Sequence, residues 1–355
     1  MRIFFVLEHL GGRGGVETVL SEITDYLKDN GHEPLILLPH PSEHPEWERD
    51  LNVYYYDVNS CPSPSALENV ANRIIGLSML SAHLPAPDVV VGTHVPHTSL
   101  YGRMAFGHLK DVPIVSWLHG PPTIFNSPNL INNADLHWCI SRDIAAMVAD
   151  LTKNQKPVHW VGNPIEITVR PVQLVHDYHH YVYLGRLAPQ KRLDIMFQAL
   201  SRLEFPWSLE IYGDGPERDK LIKLSRELDI HQKITWHGWT TNPWERIERA
   251  SALLLTSDFE GLPMVIGESL ARGLPVISSD CPTGPKDLIT DGENGLLFRQ
   301  GDIDELYRQL LYFHSLSRED RENMGHAARQ SVQKFSIEKV IHRMFESISP
   351  FIRQR

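Results

Sequence analysis

The sequence predicts an α/β fold with two doubly wound parallel sheets, one in each half of the chain. The chain has 355 residues, which is more than a single hydrophobic core usually holds. Short β-branched or aromatic runs alternate with amphipathic segments throughout, as repeated βα units of a parallel sheet require. This alternation pauses near residue 170 and then restarts, so we expect two similar halves.

The first half begins with a strand, RIFFVL, and a helix in VETVLSEITDYLKDNG. The apolar residues of the second segment recur at helical spacing, and Gly31 follows as a stop. Further strands are predicted in PLILLP, DVVVG, PIVSWL and HWCIS. We assign residues 1–168 to this first domain.

The second half restarts the pattern with the strand YVYLGRL. Helices are predicted in RLDIMFQALSRL and ERDKLIKLSREL, and strands in SLEIYGDG, KITWHG, SALLLTS, PVISSD and GLLF. We assign residues 169–335 to this second domain. Residues 336–355 form a final segment, with a helix predicted over Ile337–Ile352 beyond the last strand.

Composition and charge exclude several classes of protein. Residues 1–170 hold 11 Lys and Arg against 18 Asp and Glu, and neither half has the positive excess of a dedicated nucleic-acid binder. No apolar run approaches the roughly 20 residues that cross a bilayer, and MRIFFVLEHL lacks the charged start of a signal peptide. The three cysteines, Cys61, Cys139 and Cys281, are scattered and odd in number, which predicts a reducing cytoplasm.

A glycine run, Gly11-Gly12-Arg13-Gly14-Gly15, follows the first strand and opens the first helix. Glycine allows close backbone approach to a ligand, and a helix N-terminus favours negative charge, so the run suits a phosphate or a sugar hydroxyl. A flexible turn is the alternative. Glu17 stands where the dinucleotide fingerprint needs glycine or alanine, which argues against a standard dehydrogenase.

Two cations follow the first strand of the second half. Gly185-Arg186 ends that strand, and Lys191 comes after Pro189 at the start of the next helix. Open α/β sheets bind ligands at the carboxyl ends of strands, and a cation about 4 Å from a phosphate oxygen is worth ~4 kcal/mol at an effective dielectric of 20. A solvated surface pair is the alternative. Because Arg192 is adjacent to Lys191, we expect one of the two to face solvent.

Two acids lie eight residues apart in TSDFEGLPMVIGESLARGLPVISSD. Glu260 lies on the loop after the strand SALLLTS, and Glu268 lies about a turn inside a helix predicted to run from Pro263 to Arg272. Carboxylates accept hydrogen bonds from vicinal diols, and the helix N-terminus between them favours phosphate. A nucleotide sugar presents the same three groups in order: a diol on the sugar, two phosphates and a diol on the ribose. The alternative is a capping acid followed by a solvated helical acid.

These motifs together resemble those of the retaining family-4, or group 1, glycosyltransferases. The resemblance rests on the E-x7-E pattern, GRLAPQK, IYGDGPE, HGW and TDGENGLLF in the second half, and on the glycine run, SWLHG and VGNP in the first. It covers essentially the whole chain. The segments PWE, ASALLLTS and SSDC-x-x-GP most resemble the corresponding segments of the lipopolysaccharide 1,6-galactosyltransferases. The resemblance implies the GT-B fold, in which an acceptor-side and a nucleotide-sugar-binding Rossmann-like domain face each other across a cleft and the C-terminal helix crosses back to the first.

The resemblance also implies a role for each matched residue. Glu260 would contact the transferred sugar, Glu268 would hold the ribose diol, and Arg186 and Lys191 would bind the diphosphate. His119, in SWLHG, would lie near the reacting centre, although a structural turn histidine is the alternative. The remaining substrate-binding positions are Gly14, Gly15, Gly185, His237, Gly238, Gly261, Leu262, Pro263, Met264 and Val265. No covalent nucleophile is implied, and catalysis would be mainly electrostatic.

The expected activity is retaining transfer of galactose, glucose or N-acetylglucosamine from a UDP-sugar to a cell-envelope glycan or glycolipid such as lipopolysaccharide core. Acceptors of this family are contacted mainly by first-domain loops, here including Cys61–Ala86 and His94–Tyr101. The protein would act in the cytoplasm, with peripheral contact at the inner membrane face, although the acidic first half argues against a basic docking face.

We expect no metal and no cofactor. Asp302-Ile303-Asp304 is the only D-x-D in the sequence, and it is predicted to be an acidic helix start. A non-catalytic nucleotide-sugar-binding protein, or a phosphorylase or epimerase of the same fold, stays open as an alternative.

Overall fold

The computed structural model describes residues 1–12, 14–57 and 65–352. Within them the chain forms two compact units, Met1–Pro164 with Ile337–Arg355, and Ile165–Ser336. Arg13 of the glycine run and Cys61, with the start of the predicted acceptor loop Cys61–Ala86, lie outside the described residues, as do residues 353–355 of the final segment.

The first unit contains a parallel sheet of seven strands in the order β3-β2-β1-β4-β5-β6-β7. This topology confirms the doubly wound sheet, since the chain builds outward from β1 in one direction and then in the other. The edge strands β3 and β7 were not predicted, because three residues are too few to show a period. The elements are β1 (Arg2–Val6), α1 (Gly15–Asp29), β2 (Glu33–Leu38), β3 (Val53–Tyr55), α2 (Ala66–Ser81), β4 (Val89–His94), α3 (His97–Phe106), β5 (Ile114–Leu118), β6 (Leu136–Cys139), α4 (Arg142–Leu151) and β7 (Val158–Trp160).

The second unit repeats this arrangement with six parallel strands in the order β11-β10-β9-β13-β14-β15, beside a two-stranded pair of β8 and β12. Its strands are β8 (Gln173–Leu174), β9 (His179–Leu184), β10 (Trp207–Tyr212), β11 (Ile234–Gly238), β12 (Arg249–Ala250), β13 (Ala252–Leu255), β14 (Val276–Asp280) and β15 (Gly295–Arg299). Its helices are α5 (Leu193–Leu200), α6 (Arg218–Glu227), α7 (Met264–Ala271), α8 (Pro285–Leu288), α9 (Ile303–Ser315) and α10 (Arg318–Ser331).

The direction of building reverses between β1 and β4 in the first sheet, and between β9 and β13 in the second. At such a reversal the two following loops diverge to opposite faces and leave a crevice at the carboxyl ends of the strands, where ligands bind. The loops that leave β9 and β13 carry Arg186, Lys191 and Glu260. The fold therefore places three predicted site residues at the position that the topology favours.

The last helix, α11 (Ile337–Ile348), packs on the first unit. The Trp138 indole donates a 2.6 Å hydrogen bond to Ser347 Oγ, and Arg343 Nε donates one of 2.9 Å to the Val161 carbonyl. The predicted helix is present, but it ends at Ile348 and a 3-10 turn, Ser349–Phe351, follows it. Pro350 cannot donate the hydrogen bond that would continue an α-helix.

Two buried histidines should make the protein less stable in mild acid. Burial is the main cause that lowers the pKa of His137 and of His179, each to about 4. Below the ordinary pKa of about 6.5 the unfolded chain takes up a proton at each site while the native protein does not, so stability falls as pH drops from about 6.5 to 4. Each site contributes a slope of up to ~1.4 kcal/mol per pH unit.

The substitution His137→Leu should flatten this slope by one proton, as measured by urea unfolding between pH 7.5 and 4.5. Neither ring nitrogen of His137 has a hydrogen-bond partner among the described residues, so leucine forfeits no observed bond. The exposed His108 provides the matched control, His108→Leu, which should leave the slope as it is. An unchanged slope in His137→Leu would mean that this imidazole takes up its proton as readily in the native protein as in the unfolded chain.

Candidate nucleotide-sugar site

The centre of the candidate site is an ion pair between two of the predicted residues. Lys191 Nζ lies 2.6 Å from Glu260 Oε1, with side chains only 18% and 10% exposed. Ser257 Oγ donates a second 2.6 Å hydrogen bond to the same carboxylate oxygen. The family resemblance assigned Lys191 to the diphosphate and Glu260 to the sugar, and the structure places the two side chains in direct contact. A ligand bound at this point would contact a carboxylate and an ammonium group whose positions are already fixed.

The backbone around this pair is fixed by bonds between the two loops. Thr256 Oγ1 donates to the main-chain carbonyls of Lys191 and Arg192 at 2.8 and 2.9 Å. Arg192 has a left-handed backbone with φ of 48°, and its guanidinium lies 3.0 Å from Asp194 and 3.3 Å from Asp258. Of the two adjacent cations, Lys191 therefore pairs with Glu260 at the candidate site, whereas Arg192 stabilises the loop.

Arg186 is an exposed cation at the carboxyl end of β9. Its main-chain carbonyl accepts a 3.0 Å hydrogen bond from Tyr183, whereas its guanidinium forms no ion pair within the described part of the chain. The neighbouring turn is close-packed, since a Cβ on Gly213 would lie 1.9 Å from the Gly185 carbonyl oxygen. Arg186 thus projects from a rigid turn with its charge uncompensated, which suits an anionic ligand.

The N-terminus of α7 lies directly after the loop that holds Glu260. Pro263 is the N-cap residue and makes no side-chain hydrogen bond to the first turn, which includes Met264 and Val265. A Cβ on Gly284 would lie 2.5 Å from Pro263 Cδ and 2.8 Å from the Gly261 carbonyl oxygen, so the following loop presses on this turn. The N-terminus of a helix favours an anion, and here the turn before it is held in place.

Glu268, one turn further into α7, is held by a residue that sequence reasoning missed. The Trp244 indole donates a 2.7 Å hydrogen bond to Glu268 Oε2, and the Arg272 guanidinium lies 4.7 Å from the centre of the Trp244 ring. Burial raises the pKa of Glu268, while the Trp244 hydrogen bond and the Arg272 charge favour its ionised form. Trp244 stands in the PWE motif, but 24 residues of chain separate it from Glu268, so spacing gave no signal.

The end of β11 is organised by stacking. The His237 ring lies parallel to the Tyr212 ring, with centroids 4.2 Å apart and planes 6° apart. His237 Nε2 is 3.3 Å from Glu210 Oε2, which also accepts a 2.5 Å hydrogen bond from the Tyr212 hydroxyl. Gly238 follows with φ of 69° and accepts a 2.8 Å hydrogen bond from the Gly213 amide. One face of His237 is therefore already covered by protein.

In the first unit, the Glu17 side chain folds back onto the glycine run and accepts a hydrogen bond from it. The Gly12 amide donates a 2.7 Å hydrogen bond to Glu17 Oε1, and a Cβ on Gly14 would lie 2.7 Å from Glu17 Oε2. Gly14 precedes α1 and Gly15 is its first residue. The residue that departs from the dinucleotide fingerprint is thus a structural acid of this turn.

His119 lies beyond the carboxyl end of β5, with its ring centroid 4.3 Å from that of Trp117. Burial and the neighbouring His94 lower the pKa of His119 to about 3, so the ring is neutral at physiological pH. His94 ends β4 with a left-handed φ of 79°, and its Nδ1 has no hydrogen-bond partner among the described residues. Such a conformation in a non-glycine residue is uncommon and is typical of functional sites. Sequence reasoning placed His94 only at the start of the predicted acceptor loop His94–Tyr101, since φ cannot be read from composition.

Two family models match the chain. Glycosyltransferase Family 4 matches residues 13–169, and Glycosyl transferases group 1 matches residues 166–331. The chain is 30% identical to lipopolysaccharide 1,6-galactosyltransferase of Escherichia coli (strain K12), over 85% of this chain and 86% of that protein. It is 31% identical to the protein of the same name from Salmonella typhimurium, over 87% of this chain and 89% of that protein.

Solved structures show the same architecture. The apo form of the lipopolysaccharide outer core galactosyltransferase WaaB superposes with a TM-score of 0.87 at 28% identity, covering 99% of each chain. Anabaena Alr3699/HepE in complex with UDP superposes with a TM-score of 0.80, covering 99% of this chain and 100% of that one. Its 19% identity supports the fold alone.

Proposed function

The chain belongs to the family-4, or group 1, glycosyltransferases, and on that premise we propose that it transfers a hexose from a UDP-sugar to a cell-envelope glycan or glycolipid such as lipopolysaccharide core. The family, the GT-B fold and the transferase class predicted from the motifs are confirmed. The donor, the acceptor and the stereochemistry are the proposal. The relatives named for lipopolysaccharide galactosyl transfer support the acceptor class and make galactose the first sugar to test.

One observation carries the donor assignment: the two acids of E-x7-E lie on either side of the N-terminus of α7, and the first of them contacts a cation. Glu260 is paired with Lys191 on one side, and Glu268 is held by Trp244 on the other. This order matches the hydroxyls of a sugar, two phosphates and the ribose diol. The fold shared with a protein solved in complex with UDP-glucose agrees with this donor class.

The proposed chemistry is departure of UDP with attack by an acceptor hydroxyl on the same face of the sugar. The bond between the anomeric carbon and the phosphate oxygen breaks, and its electron pair stays on that oxygen. The acceptor oxygen forms the new bond, and its proton passes to the departing phosphate. Lys191 and Arg186 stabilise the charge that develops on the diphosphate. His119, neutral at physiological pH, can donate or accept one hydrogen bond near the sugar but cannot add a charge.

We also propose that turnover needs no divalent cation, because these two basic side chains supply the positive charge. The predicted helix start at the D-x-D sequence is confirmed: Asp302 caps α9 by accepting a 2.9 Å hydrogen bond from the Glu305 amide. The Asp304 carboxylate lies 2.6 Å from Arg202 Nη1, so both acids of this sequence already have partners.

The test is UDP release from a panel of nucleotide sugars, with and without EDTA and without acceptor. We expect slow, EDTA-resistant turnover of one UDP-hexose, with the anomeric configuration of the released sugar followed by NMR. Addition of lipopolysaccharide core that lacks its outer hexoses should raise the rate by orders of magnitude. Absence of UDP binding, or strict dependence on a metal, would overturn the proposal.

We propose further that the protein contacts the membrane surface through α2, at the inner face and without spanning it. No described helix is both long and apolar enough to cross a bilayer. In α2, however, Leu67 is 78% exposed, Ile75 53% and Met79 61%, and spacings of eight and four residues place them along one face. Exposed apolar side chains aligned on one helix face are typical of interfacial contact.

Substitution of Leu67, Ile75 and Met79 together by serine should lower the affinity for phospholipid vesicles by about 10³-fold and so abolish co-sedimentation, because burial of each side chain in lipid is worth ~1.5 kcal/mol or more. Leu311→Ser, at a 39% exposed leucine of α9, is the matched control and should leave binding unchanged. Equal vesicle binding by the triple variant and the parent protein would rule out α2 as the contact.

A further inference from the structure

A groove of about 230 Å3 lies on the second unit, and none of its lining residues belongs to the loops that carry Arg186, Lys191 and Glu260. It is bounded by α10, by the end of α7 and by residues 171–176, which include β8. The lining residues of α10 recur at the spacing of one helix face, and they are Arg318, Glu322, Gly325, His326 and Arg329. Since a helix rises 1.5 Å per residue, this face extends for about 16 Å.

Two glycines let the backbones of α7 and α10 approach each other at the floor of the groove. A Cβ on Gly325 would lie only 2.7 Å from the Gly273 carbonyl oxygen. Gly273 has a left-handed φ of 74°, and a Cβ there would lie 3.2 Å from Arg329 Cδ. The Arg329 stem therefore lies beside Gly273, and Arg272, which precedes that glycine, lines the groove as well. Two arginines thus stand at the same end of a rigid groove.

The two ends of the groove differ in charge. At the far end Glu322 Oε1 lies 2.8 Å from Arg318 Nε and 3.6 Å from His176 Nε2, so this acid balances its neighbours. Arg329 is exposed, and its guanidinium forms no ion pair among the residues that the structure describes. The described lining residues hold three arginines and one glutamate, a balance of plus two with the histidines neutral. The groove therefore favours an anion, at the end that holds Arg329.

Arg272 connects the groove to the candidate nucleotide site. Its Nη1 donates a 2.9 Å hydrogen bond to the Glu268 carbonyl, and its guanidinium lies 4.7 Å from the centre of the Trp244 ring that holds the Glu268 carboxylate. Burial raises the pKa of Glu268, and the Arg272 charge opposes that rise. An anion beside Arg272 would offset this charge and so disfavour the ionised carboxylate. Because binding linkage is reciprocal, a ligand that needs this carboxylate would in turn weaken the anion.

We propose that the groove binds a small phosphate monoester with a hydroxylated organic part, and that its occupation weakens nucleotide binding at Glu268. Only the second part rests on the proposed function. The phosphate lies at the end that holds Arg272 and Arg329, where guanidinium groups donate charge-assisted hydrogen bonds. The hydroxyls lie toward Glu322, whose oxygens have lone pairs beyond those used on its two partners. The volume is below the ~300 Å3 at which pockets for larger ligands begin, which suits a sugar phosphate.

The test of the groove is calorimetric titration of the full chain with glucose 6-phosphate, inorganic phosphate and glucose, in the presence of saturating UDP to keep phosphates from Arg186 and Lys191. Glucose 6-phosphate should bind at least tenfold more tightly than inorganic phosphate, because it also reaches the Glu322 end, and glucose should not bind. Arg329→Gln should weaken glucose 6-phosphate about tenfold, as loss of one charge-assisted bond does. Arg308→Gln, at an exposed arginine of α9, is the matched control and should bind like the parent chain.

The test of the coupling is the Kd of uridine with and without saturating glucose 6-phosphate. The ester should raise this Kd about fivefold in the parent chain. The same concentration of ester should have little effect in Arg329→Gln, a result that binding of the ester at Arg186 and Lys191 would not give. An unchanged or lower Kd in the parent chain would overturn the coupling.

Three results would overturn the groove assignment. They are no binding of glucose 6-phosphate, equal binding by Arg329→Gln and the parent chain, and binding of inorganic phosphate as tight as that of the ester. If the ester binds and depends on Arg329 but neither UDP nor uridine binds, the proposed function and the coupling fail while the groove assignment stands.

Discussion

Replacement of Lys191 by methionine should lower kcat/KM for sugar transfer by about 10³-fold. Two effects combine, because the variant removes a cation from the departing diphosphate and leaves Glu260 without its partner at 2.6 Å. Loss of one preorganised contact to developing charge typically costs 10² to 10³ in rate. The measurement is initial-rate kinetics with a saturating acceptor. Lys223→Met, at an 80% exposed lysine, is the matched control and should behave as the parent protein does.

Stability measurements on the same variants separate the two effects. Removal of one partner from a buried ion pair is destabilising by ~3–5 kcal/mol, and the residual exposure of this pair places the expected loss at or below the lower end. The double variant Lys191→Met with Glu260→Gln removes both charges, so it should regain much of the lost stability. It should not regain activity. Recovery of transfer in the double variant would show that Lys191 only neutralises Glu260.

Substitution of Glu268 by glutamine should weaken UDP binding by about 10- to 100-fold while changing kcat much less. A carboxylate that accepts two hydroxyls of a ribose loses charge-assisted bonds, each worth ~1.5–3 kcal/mol, when it becomes an amide. Calorimetric titration with UDP gives the Kd. Glu293→Gln, at an exposed glutamate, is the matched control. A Kd within twofold of the parent value would remove Glu268 from the nucleotide site.

A Trp244 variant and the pH dependence of ligand binding provide two further tests of the role of Glu268. Trp244→Phe keeps the ring but loses the 2.7 Å bond that orients Glu268, so UDP binding should weaken about fivefold. Because burial raises the pKa of Glu268, ligand binding should weaken as pH falls through that raised value and the carboxylate takes up a proton. Uridine is the appropriate ligand for this measurement, since it has no phosphate to titrate. The glutamine variant should lack this pH dependence.

The parts of the site that sequence could predict are those whose residues lie close together in the chain. Glu260, the start of α7 and Glu268 fall within nine residues, so helical geometry alone fixes their order. The contact between Lys191 and Glu260 spans 69 residues, and spacing predicted only that each lay at the end of a strand. Parallel strands bring such ends together, but the pairing within that edge depends on side-chain packing.

The parts that sequence missed depend on long-range contact or on backbone conformation. The Glu8 carboxylate accepts hydrogen bonds from Arg73, 65 residues later in the chain, and from Tyr101, 93 residues later, so no local pattern marks this cluster. His94 is distinguished by its φ of 79°, which nothing in VVGTHVPHT indicates. The three-residue edge strands β3 and β7 were missed for a different reason, because alternation needs more residues than they contain.

The attachment of α11 to the first unit has a consequence for biosynthesis. The first unit is discontinuous, since residues 1–164 are translated before the second unit and the helix that covers Trp138 is translated after it. In a nascent chain the first unit stays incomplete, with the surface around Trp138 exposed, until the whole second unit has been translated. Residues 165–336 form one uninterrupted stretch and can complete their sheet before translation ends. The first unit is therefore finished after the second, and premature termination near residue 336 would leave the first unit incomplete and the second intact.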